Sequence, residues 1–239
     1  MVHTKNMQQP TELSAIVSEY LKSVKANPGT DVNRALSLAC IRGDLHIVKH
    51  LHENGVSVSV NDNQAMIAAS RFGYLPIVEY LHKNGASIME GYCCPLVAAC
   101  EDGHLPIVEY MHRNGANISV DNDEPLRSAV RYGNLSIVEY LHKNGANLSS
   151  VTDTSNNRKP IRLSIKDGQL PVIEYGDKNG NWLYTHGDEP IRFAVRNAHL
   201  LVDEYLRKNG VNISDESDEP LILLVGVGSI MHTEYLRNK

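Results

Sequence analysis

The stretch DNDEPLRSAVRYGNLSIVEYLHKNGANLSS, residues 121–150, contains one copy of a motif that recurs along the chain. Its first half, Pro125–Tyr132, predicts about two turns of helix with one apolar side. Gly133 follows, and glycine favours the left-handed conformation that ends such a helix. Leu135–Lys143 predicts a second amphipathic helix, which the pair Asn144–Gly145 ends. The predicted buried side chains are Leu126, Ala129 and Val130 of the first helix and Leu135, Ile137, Val138 and Leu141 of the second.

Two series of glycines give the period of this motif. One comprises Gly43, Gly73, Gly103, Gly133, Gly168 and Gly228, and Ala198 stands where its missing member is expected. The other comprises Gly55, Gly85, Gly115, Gly145, Gly180 and Gly210. Neighbouring positions lie 30 residues apart in both series, except for one step of 35 residues between the fourth and fifth members. The chain is therefore an array of about seven repeats with a five-residue insertion near residues 152–157.

Neither helix of one motif could bury its apolar side alone, so the repeats must stack. Pro-Leu-x-x-Ala at Pro95–Ala99 and Pro125–Ala129, with Gly-His-Leu at Gly103–Leu105 and Asn-Gly-Ala-Asn at Asn114–Asn117, resembles the ankyrin repeat family. The threonine and histidine of the family signature are replaced, and the period is shorter by about three residues. The resemblance implies an all-α ankyrin-repeat solenoid of about seven helix-turn-helix units with short loops between them.

The domain organisation predicted from this pattern has two parts. Residues 1–32 form an N-terminal capping helix and turn, with the amphipathic helix at Thr11–Ala26. Residues 33–239 form the repeat domain. Its repeats 1 to 7 span about residues 33–62, 63–92, 93–122, 123–157, 158–187, 188–217 and 218–239.

The 30-residue period, the Asp-Asn-Asp loop and the Ile-Val-Glu-Tyr-Leu helices are similar to the ankyrin arrays of giant amoeba-infecting viruses. That resemblance implies a viral protein that acts on host proteins in the host cytoplasm. A cytoplasmic location also fits the polar segment Met1–Pro10 and the run Leu221–Ile230, which is too short to span a bilayer. The cysteines Cys40, Cys93, Cys94 and Cys100 show no CxxC spacing, as expected for a reducing compartment.

Composition and motifs argue against several classes of function. A net charge of −5 argues against nucleic-acid binding, for which a basic protein is typical. No nucleophile elbow, phosphate-binding loop or HExxH motif is present, so catalysis is not expected. A histidine ladder recurs at His52, His82, His112 and His142. Equivalent atoms of stacked repeats lie about 10 Å apart, whereas zinc needs ligands within about 2.1 Å of one centre. No metal or cofactor is therefore predicted.

The ankyrin resemblance implies that the two residues before each turn glycine line the concave, partner-binding face. These pre-glycine pairs vary in charge and type between repeats, unlike the apolar positions. Variation suits a recognition surface, although relaxed constraint at solvent-facing positions would give the same pattern. The predicted partner-binding residues are Arg42, Arg71, Phe72, Glu101, Asp102, Arg131, Tyr132, Lys166, Asp167 and Arg196, together with the loop residue Trp182. Phe72 and Tyr132 are aromatic and stand next to arginines, the residue types enriched at interface hot spots.

A basic stripe is also predicted, because pairs of cations four residues apart recur on the first helix of three repeats. Its members are Arg127, Arg131, Arg162, Lys166, Arg192 and Arg196. Acidic loop residues, among them Asp121 and Asp123, are expected to neutralise much of it. A partner of mixed charge follows from this arrangement.

The later repeats depart from the pattern at several positions. Gly176 replaces a buried leucine, Asp203 replaces an apolar valine, and Ala198 occupies a glycine position. Trp182 stands in a loop position that is normally held by asparagine. Two interpretations of Trp182 remain open: an exposed anchor for a partner, or a side chain that repairs a damaged core.

The sequence therefore predicts a monomeric protein–protein interaction module that binds a host protein, with no membrane or nucleic-acid partner. The alternative is a structural component that self-associates through the apolar segment Leu221–Ile230 of the last repeat. An enzyme is a distant third possibility.

Overall fold

The computed structural model describes residues 31–59, 63–89, 94–152, 160–180, 182 and 189–211. The predicted capping helix at Thr11–Ala26, the insertion at residues 153–157 and the seventh repeat, residues 218–239, lie outside the described residues. The chain divides into two compact units, Met1–Ala99 and Cys100–Lys239.

Within the described residues the fold is all-α, with twelve α-helices, one short 3₁₀ helix and no strand. The helices in the described part of the first unit are α1 (Asp31–Arg42), α2 (Leu45–Glu53), α3 (Gln64–Arg71), α4 (Leu75–Lys83) and α5 (Pro95–Glu101). The last of them extends two residues beyond the unit. Those of the second are α6 (Leu105–Arg113), α7 (Val120–Tyr132), α8 (Leu135–Lys143), α9 (Pro160–Lys166), α10 (Leu170–Gly180), α11 (Glu189–Arg196) and α12 (Leu200–Lys208). The 3₁₀ helix, Leu148–Thr152, follows α8.

The turn between the two helices of a repeat depends on glycine, as the sequence predicts. Gly133 ends α7 with a φ of 78°, and Gly43, Gly73, Gly103 and Gly168 also have positive φ. The asparagine that follows each second helix caps its carboxyl end. In α8, for example, Asn144 Nδ2 donates to the carbonyl of Tyr140 at 2.7 Å. The predicted boundaries Leu135–Lys143 are confirmed.

The start of α7 differs from the prediction. Asp121, Asn122 and Asp123 have left-handed φ values of 52°, 59° and 58°, so regular helix begins only at Glu124. Aspartate and asparagine tolerate this conformation better than most residues. Pro125 consequently lies in the first turn of the regular helix, where the missing N–H has no helical acceptor to lose.

The core is built from the apolar side of each helix. In the fourth repeat Leu126, Ala129, Val130, Ile137, Val138 and Leu141 are buried, whereas Leu135 is only half-buried. Cys40 belongs to the core of the first unit, and its burial raises the pKa of the thiol to about 12. Cys40, Cys94 and Cys100 are free thiols. None of the helices in the described ranges combines the length and the apolar composition that crossing a membrane requires.

Candidate functional site

In the first unit, the pre-glycine residues lie at the solvent-exposed ends of α1 and α3. Arg42 is exposed at the end of α1, and Arg71 and Phe72 are exposed at the end of α3. Phe72 has 48% of its surface accessible, an unusual exposure for a phenylalanine. A partner could bury this ring without any rearrangement of the helix.

In the second unit, Tyr132 occupies the position that Phe72 holds in the first. It is 51% exposed at the end of α7. Among the other predicted residues, Asp102, Lys166, Asp167 and Arg196 are exposed, and Glu101 and Arg131 are partly buried. Each unit thus presents one exposed aromatic ring, bordered by charged side chains, immediately before a turn glycine.

The basic stripe lies on the first helices α7, α9 and α11 of the second unit, and α9 packs against both of the others. Its most enclosed members are Arg127 and Arg131, whose side chains are 14% and 21% exposed. Arg127 Nε lies 3.6 Å from Glu124 Oε2, and Arg131 Nη2 lies 3.9 Å from Glu124 Oε1. Glu124, and not the expected loop aspartates, is therefore the carboxylate that holds these two guanidinium groups.

The rest of the stripe has a different environment. The Arg162 guanidinium carbon lies 5.0 Å from the centre of the Phe193 ring, which places α9 and α11 in register. Lys166 and Arg196 are exposed, and neither has an ion-pair partner within the described parts of the chain. The stripe therefore combines partly enclosed guanidinium groups with two exposed cations, Lys166 and Arg196.

Polar side chains at the start of the second helices fix the register of neighbouring repeats. Asn134 Nδ2 donates to the carbonyls of Cys100 and Glu101 at 2.7 and 2.8 Å. His199 Nε2 pairs with the carbonyl of Lys166 at 2.7 Å. A Cβ at Gly168 would lie 2.6 Å from His199 Nδ1, so these contacts also require a residue without a side chain at the preceding turn.

Three histidines of the histidine ladder pair with tyrosine hydroxyls of the next repeat. His52 Nδ1 lies 2.8 Å from the hydroxyl of Tyr80 in the first unit. In the second unit, His112 pairs with Tyr140 at 2.9 Å and His142 pairs with Tyr175 at 2.9 Å. Each imidazole therefore joins its own repeat to the next one along the chain.

Sequence reasoning found the histidine ladder but missed that its members pair with tyrosines of the following repeats. The signal was a separation of 28 residues between His52 and Tyr80, which becomes 33 for His142 and Tyr175 across the insertion. The series also continues where histidine is lost, because the Tyr205 hydroxyl donates to Asp177 Oδ2 at 3.1 Å. Asp177 thus replaces histidine as the partner of the tyrosine hydroxyl.

These contacts affect the ionisation of the tyrosines. The pKa values of Tyr80, Tyr140 and Tyr175 are raised above the usual value, chiefly because burial disfavours the phenolate. A nearby glutamate adds to the effect in each case, for example Glu109 beside Tyr140. Among the described residues, no group of three or more histidine, cysteine or acidic side chains is arranged to hold a metal ion.

Trp182 lies in the core, which corrects its assignment as a partner-binding residue. It is 1% exposed, and its Nε1 donates to the carbonyl of Leu148 at 3.2 Å. A Cβ on Gly176 would lie 1.9 Å from Trp182 Cε3, so the indole fills the space that leucine occupies in other repeats. Of the two open interpretations, the structure supports repair of the core.

Comparisons with known proteins agree with this architecture. The family model described as ankyrin repeats in three copies matches residues 12–91 and 89–152, more than half of the chain. The crystal structure of the human ASB11 ankyrin repeat domain superimposes with a TM-score of 0.64. That alignment covers 80% of this chain and 96% of the human domain at 21% sequence identity, a likeness in fold alone. No curated protein matches the sequence.

Proposed function

The chain belongs to the ankyrin repeat family, and from this premise we propose that it binds a partner protein through the residues that precede its turn glycines. The observation that carries the proposal is the matched exposure of two aromatic rings. Phe72 and Tyr132 stand at equivalent positions of their repeats and are 48% and 51% exposed, whereas the apolar core positions of the repeats are buried. Ankyrin repeats generally serve protein–protein interaction.

The chemistry of these positions suits a protein ligand. Each ring has an arginine directly before it in the chain, Arg71 before Phe72 and Arg131 before Tyr132. Aromatic side chains and arginine supply most of the binding free energy in protein interfaces, because they bury a large area and still make polar contacts. A preformed surface on rigid helices also limits the entropy lost on binding.

The proposed partner is a protein of an infected host cell, met in its cytoplasm. This part rests on the similarity of the repeats to the ankyrin arrays of amoeba-infecting viruses. It assigns the chain no catalytic step.

The test is affinity capture from an amoebal lysate with the full chain as bait. Wild type would be compared with Phe72→Ala/Tyr132→Ala, whose folding is checked by circular dichroism and thermal unfolding. The matched control is Met89→Ala/Leu201→Ala, because these side chains are 56% and 68% exposed but do not precede a turn glycine.

We expect a protein that the wild type and the control retain and the aromatic variant loses. Equal loss from both variants would indicate nonspecific hydrophobic adsorption and contradict the proposal. So would the absence of any specific capture together with concentration-dependent oligomers in light scattering, an outcome that favours a self-associating structural component.

A further inference from the structure

Six cations concentrate on one side of three neighbouring first helices in the second unit. The positions six and two residues before the turn residue hold Arg127 and Arg131, Arg162 and Lys166, and Arg192 and Arg196 in repeats 4 to 6. In repeats 1 to 3 the same positions hold Ser37 and Ile41, Ile67 and Arg71, and Val97 and Glu101. The repeat itself does not require cations there, so packing does not explain the basic stripe.

We propose that the basic stripe binds an acidic segment of the partner protein in an extended conformation. The proposal rests on the function proposed above and adds the chemistry of the ligand. Its first support is charge complementarity, since the six cations of the stripe share equivalent positions along α7, α9 and α11, whereas the carboxylates of these helices, Asp121, Asp123, Glu124 and Glu189, lie at the helix starts.

Four of the cations, Arg127, Arg131, Lys166 and Arg196, retain the capacity to bind a carboxylate. Glu124 lies 3.6 Å from Arg127 and 3.9 Å from Arg131, distances longer than hydrogen bonds, so it orients these groups without using up their donors. Lys166 and Arg196 are exposed and have no ion-pair partner in the described ranges. Guanidinium groups bind carboxylates through paired hydrogen bonds, the strongest polar contact available to a side chain at a surface.

The spacing of the helices indicates how the carboxylates are arranged. Packed helices lie about 8–10 Å apart, and an extended chain advances about 3.3 Å per residue. A segment that crosses α7, α9 and α11 therefore meets a new pair of cations about every third residue. Aspartate or glutamate at every third position is the pattern that matches the stripe.

Nucleic acid fits the same surface less well. The chain carries a net charge of −5, and the carboxylates of Glu124 and Asp167 stand within the stripe and next to it. Fixed anions among the cations repel a continuous line of phosphates. A peptide with spaced carboxylates can instead place its neutral residues beside those fixed anions. Nucleic acid is therefore the competing outcome of the test.

The test is fluorescence anisotropy of labelled probes with the full chain in 50 mM salt. The probe is a fluorescein-labelled peptide of four Glu-Ala-Ser triplets. The comparison probes are a peptide of four Lys-Ala-Ser triplets, a peptide of the same composition with its four glutamates adjacent, and an oligonucleotide of twelve thymidines.

The variant is Lys166→Glu/Arg196→Glu, which reverses the two solvated cations. Its control is Lys143→Glu/Lys178→Glu, the same charge change at exposed positions on the second helices α8 and α10. We expect the spaced acidic peptide to bind best, the stripe variant to weaken it at least about tenfold, and the control to change it less than about twofold. Binding should weaken as salt is raised.

Several results would overturn the inference: equal weakening by both variants, tighter binding of the oligonucleotide, or no binding of the spaced acidic peptide. They leave the proposed function separately testable. If capture of a partner depends on Phe72 and Tyr132 but is unchanged by Lys166→Glu/Arg196→Glu, the acidic-segment inference fails and the protein-binding function stands. If neither the peptide nor a partner binds, both fail.

Discussion

Repeat 4 and the two repeats that follow it reach the same fold with different residues. Repeat 4 places leucine, at Leu141, against the next repeat, whereas repeat 5 has Gly176 at that position. The buried valine Val138 corresponds to Asp203 in repeat 6. The sequence suggests that these changes weaken the later repeats, yet the helices and turns are retained.

The comparison shows that each departure is offset by a particular neighbour. The indole of Trp182 fills the space above Gly176. Arg207 Nε donates to both carboxylate oxygens of Asp203, at 3.0 and 3.1 Å. A repeat fold thus tolerates exchange of its core residues when a contact within the same or the next repeat changes with them.

The largest effect is expected at Trp182. Replacing Trp182 with alanine empties the space beside Gly176 and removes the hydrogen bond to Leu148, so we expect a loss of about 3–5 kcal/mol in the free energy of unfolding. Urea denaturation of the full chain would measure it. A loss below about 1 kcal/mol would show that the indole does not fill a core position.

A double variant sharpens this comparison. Gly176→Leu/Trp182→Asn recreates the pair found in repeat 4, where Leu141 and Asn147 hold these positions. Gly176→Leu alone is destabilising, because its Cβ would lie 1.9 Å from the indole. The double variant should be more stable than the sum of the two single changes predicts, and strict additivity would contradict compensation.

The second prediction concerns the buried carboxylate. Asp203 is fully buried and Arg207 is 30% exposed. Arg207→Ala leaves the carboxylate without its partner, and we expect a cost of roughly 2 kcal/mol, less than for a fully buried pair because Arg207 is partly solvated. Asp203→Val restores the residue type of repeat 4, and the freed arginine can be hydrated, so its effect should be near zero or stabilising.

Thermal unfolding of both variants gives the answer. If Asp203→Val costs more than Arg207→Ala, the ion pair is a net source of stability and not a tolerated replacement for valine. The control is Lys208→Ala, which removes an exposed partner of Glu204 at 2.9 Å and should change stability by less than about 1 kcal/mol.

The sequence predicted the frame of the fold because its signals are local. Gly133 and the pair Asn144–Gly145 determine where helices end through the backbone of the same few residues, and the predicted second helix is confirmed to the residue. The environment of Trp182 is not local, since it depends on Leu148, 34 residues earlier, and on Gly176. The repeat period gave the positions of Trp182 and Gly176 within the repeat, but not the contact between them.

In the candidate site, some features depend on local sequence and others depend on contacts between repeats. Exposure of Phe72 and Tyr132 followed from their place before a turn glycine, since the end of a helix faces solvent there. The pairing of His142 with Tyr175 needed the distance between two repeats, which only the structure supplies. The position of Glu124 beside Arg127 and Arg131 likewise depends on the kink that begins regular helix at this residue.

The third prediction tests a strained turn. Ala198 replaces the turn glycine and has a φ of 58°, a left-handed conformation that costs residues with a side chain about 1–2 kcal/mol. Ala198→Gly should therefore stabilise the chain by about 1 kcal/mol, after allowance for the extra freedom of glycine in the unfolded state. Gly168→Ala is the reciprocal change and should cost more, since its Cβ also approaches His199. A destabilising Ala198→Gly in thermal unfolding would contradict the strain.

The smallest effect is expected in the histidine–tyrosine contacts. Tyr140→Phe removes the hydroxyl that meets His112, and one such hydrogen bond contributes about 0.5–1.5 kcal/mol. The folded-state pKa of Tyr140 is raised, so folding favours the protonated phenol. The resulting stability is fully present below the unfolded-state pKa, about 10, and is lost as pH rises from there through the folded-state pKa.

Melting temperatures between pH 8.5 and 11 would detect this loss, which Tyr80 and Tyr175 share because their pKa values are raised for the same reason. Tyr140→Phe should be less stable than the wild type at pH 8.5, and the difference should shrink by pH 11. Tyr132→Phe is the control, because its ring is exposed at the proposed binding face and lies outside these contacts. A difference that stays constant across the range would contradict the raised folded-state pKa of Tyr140.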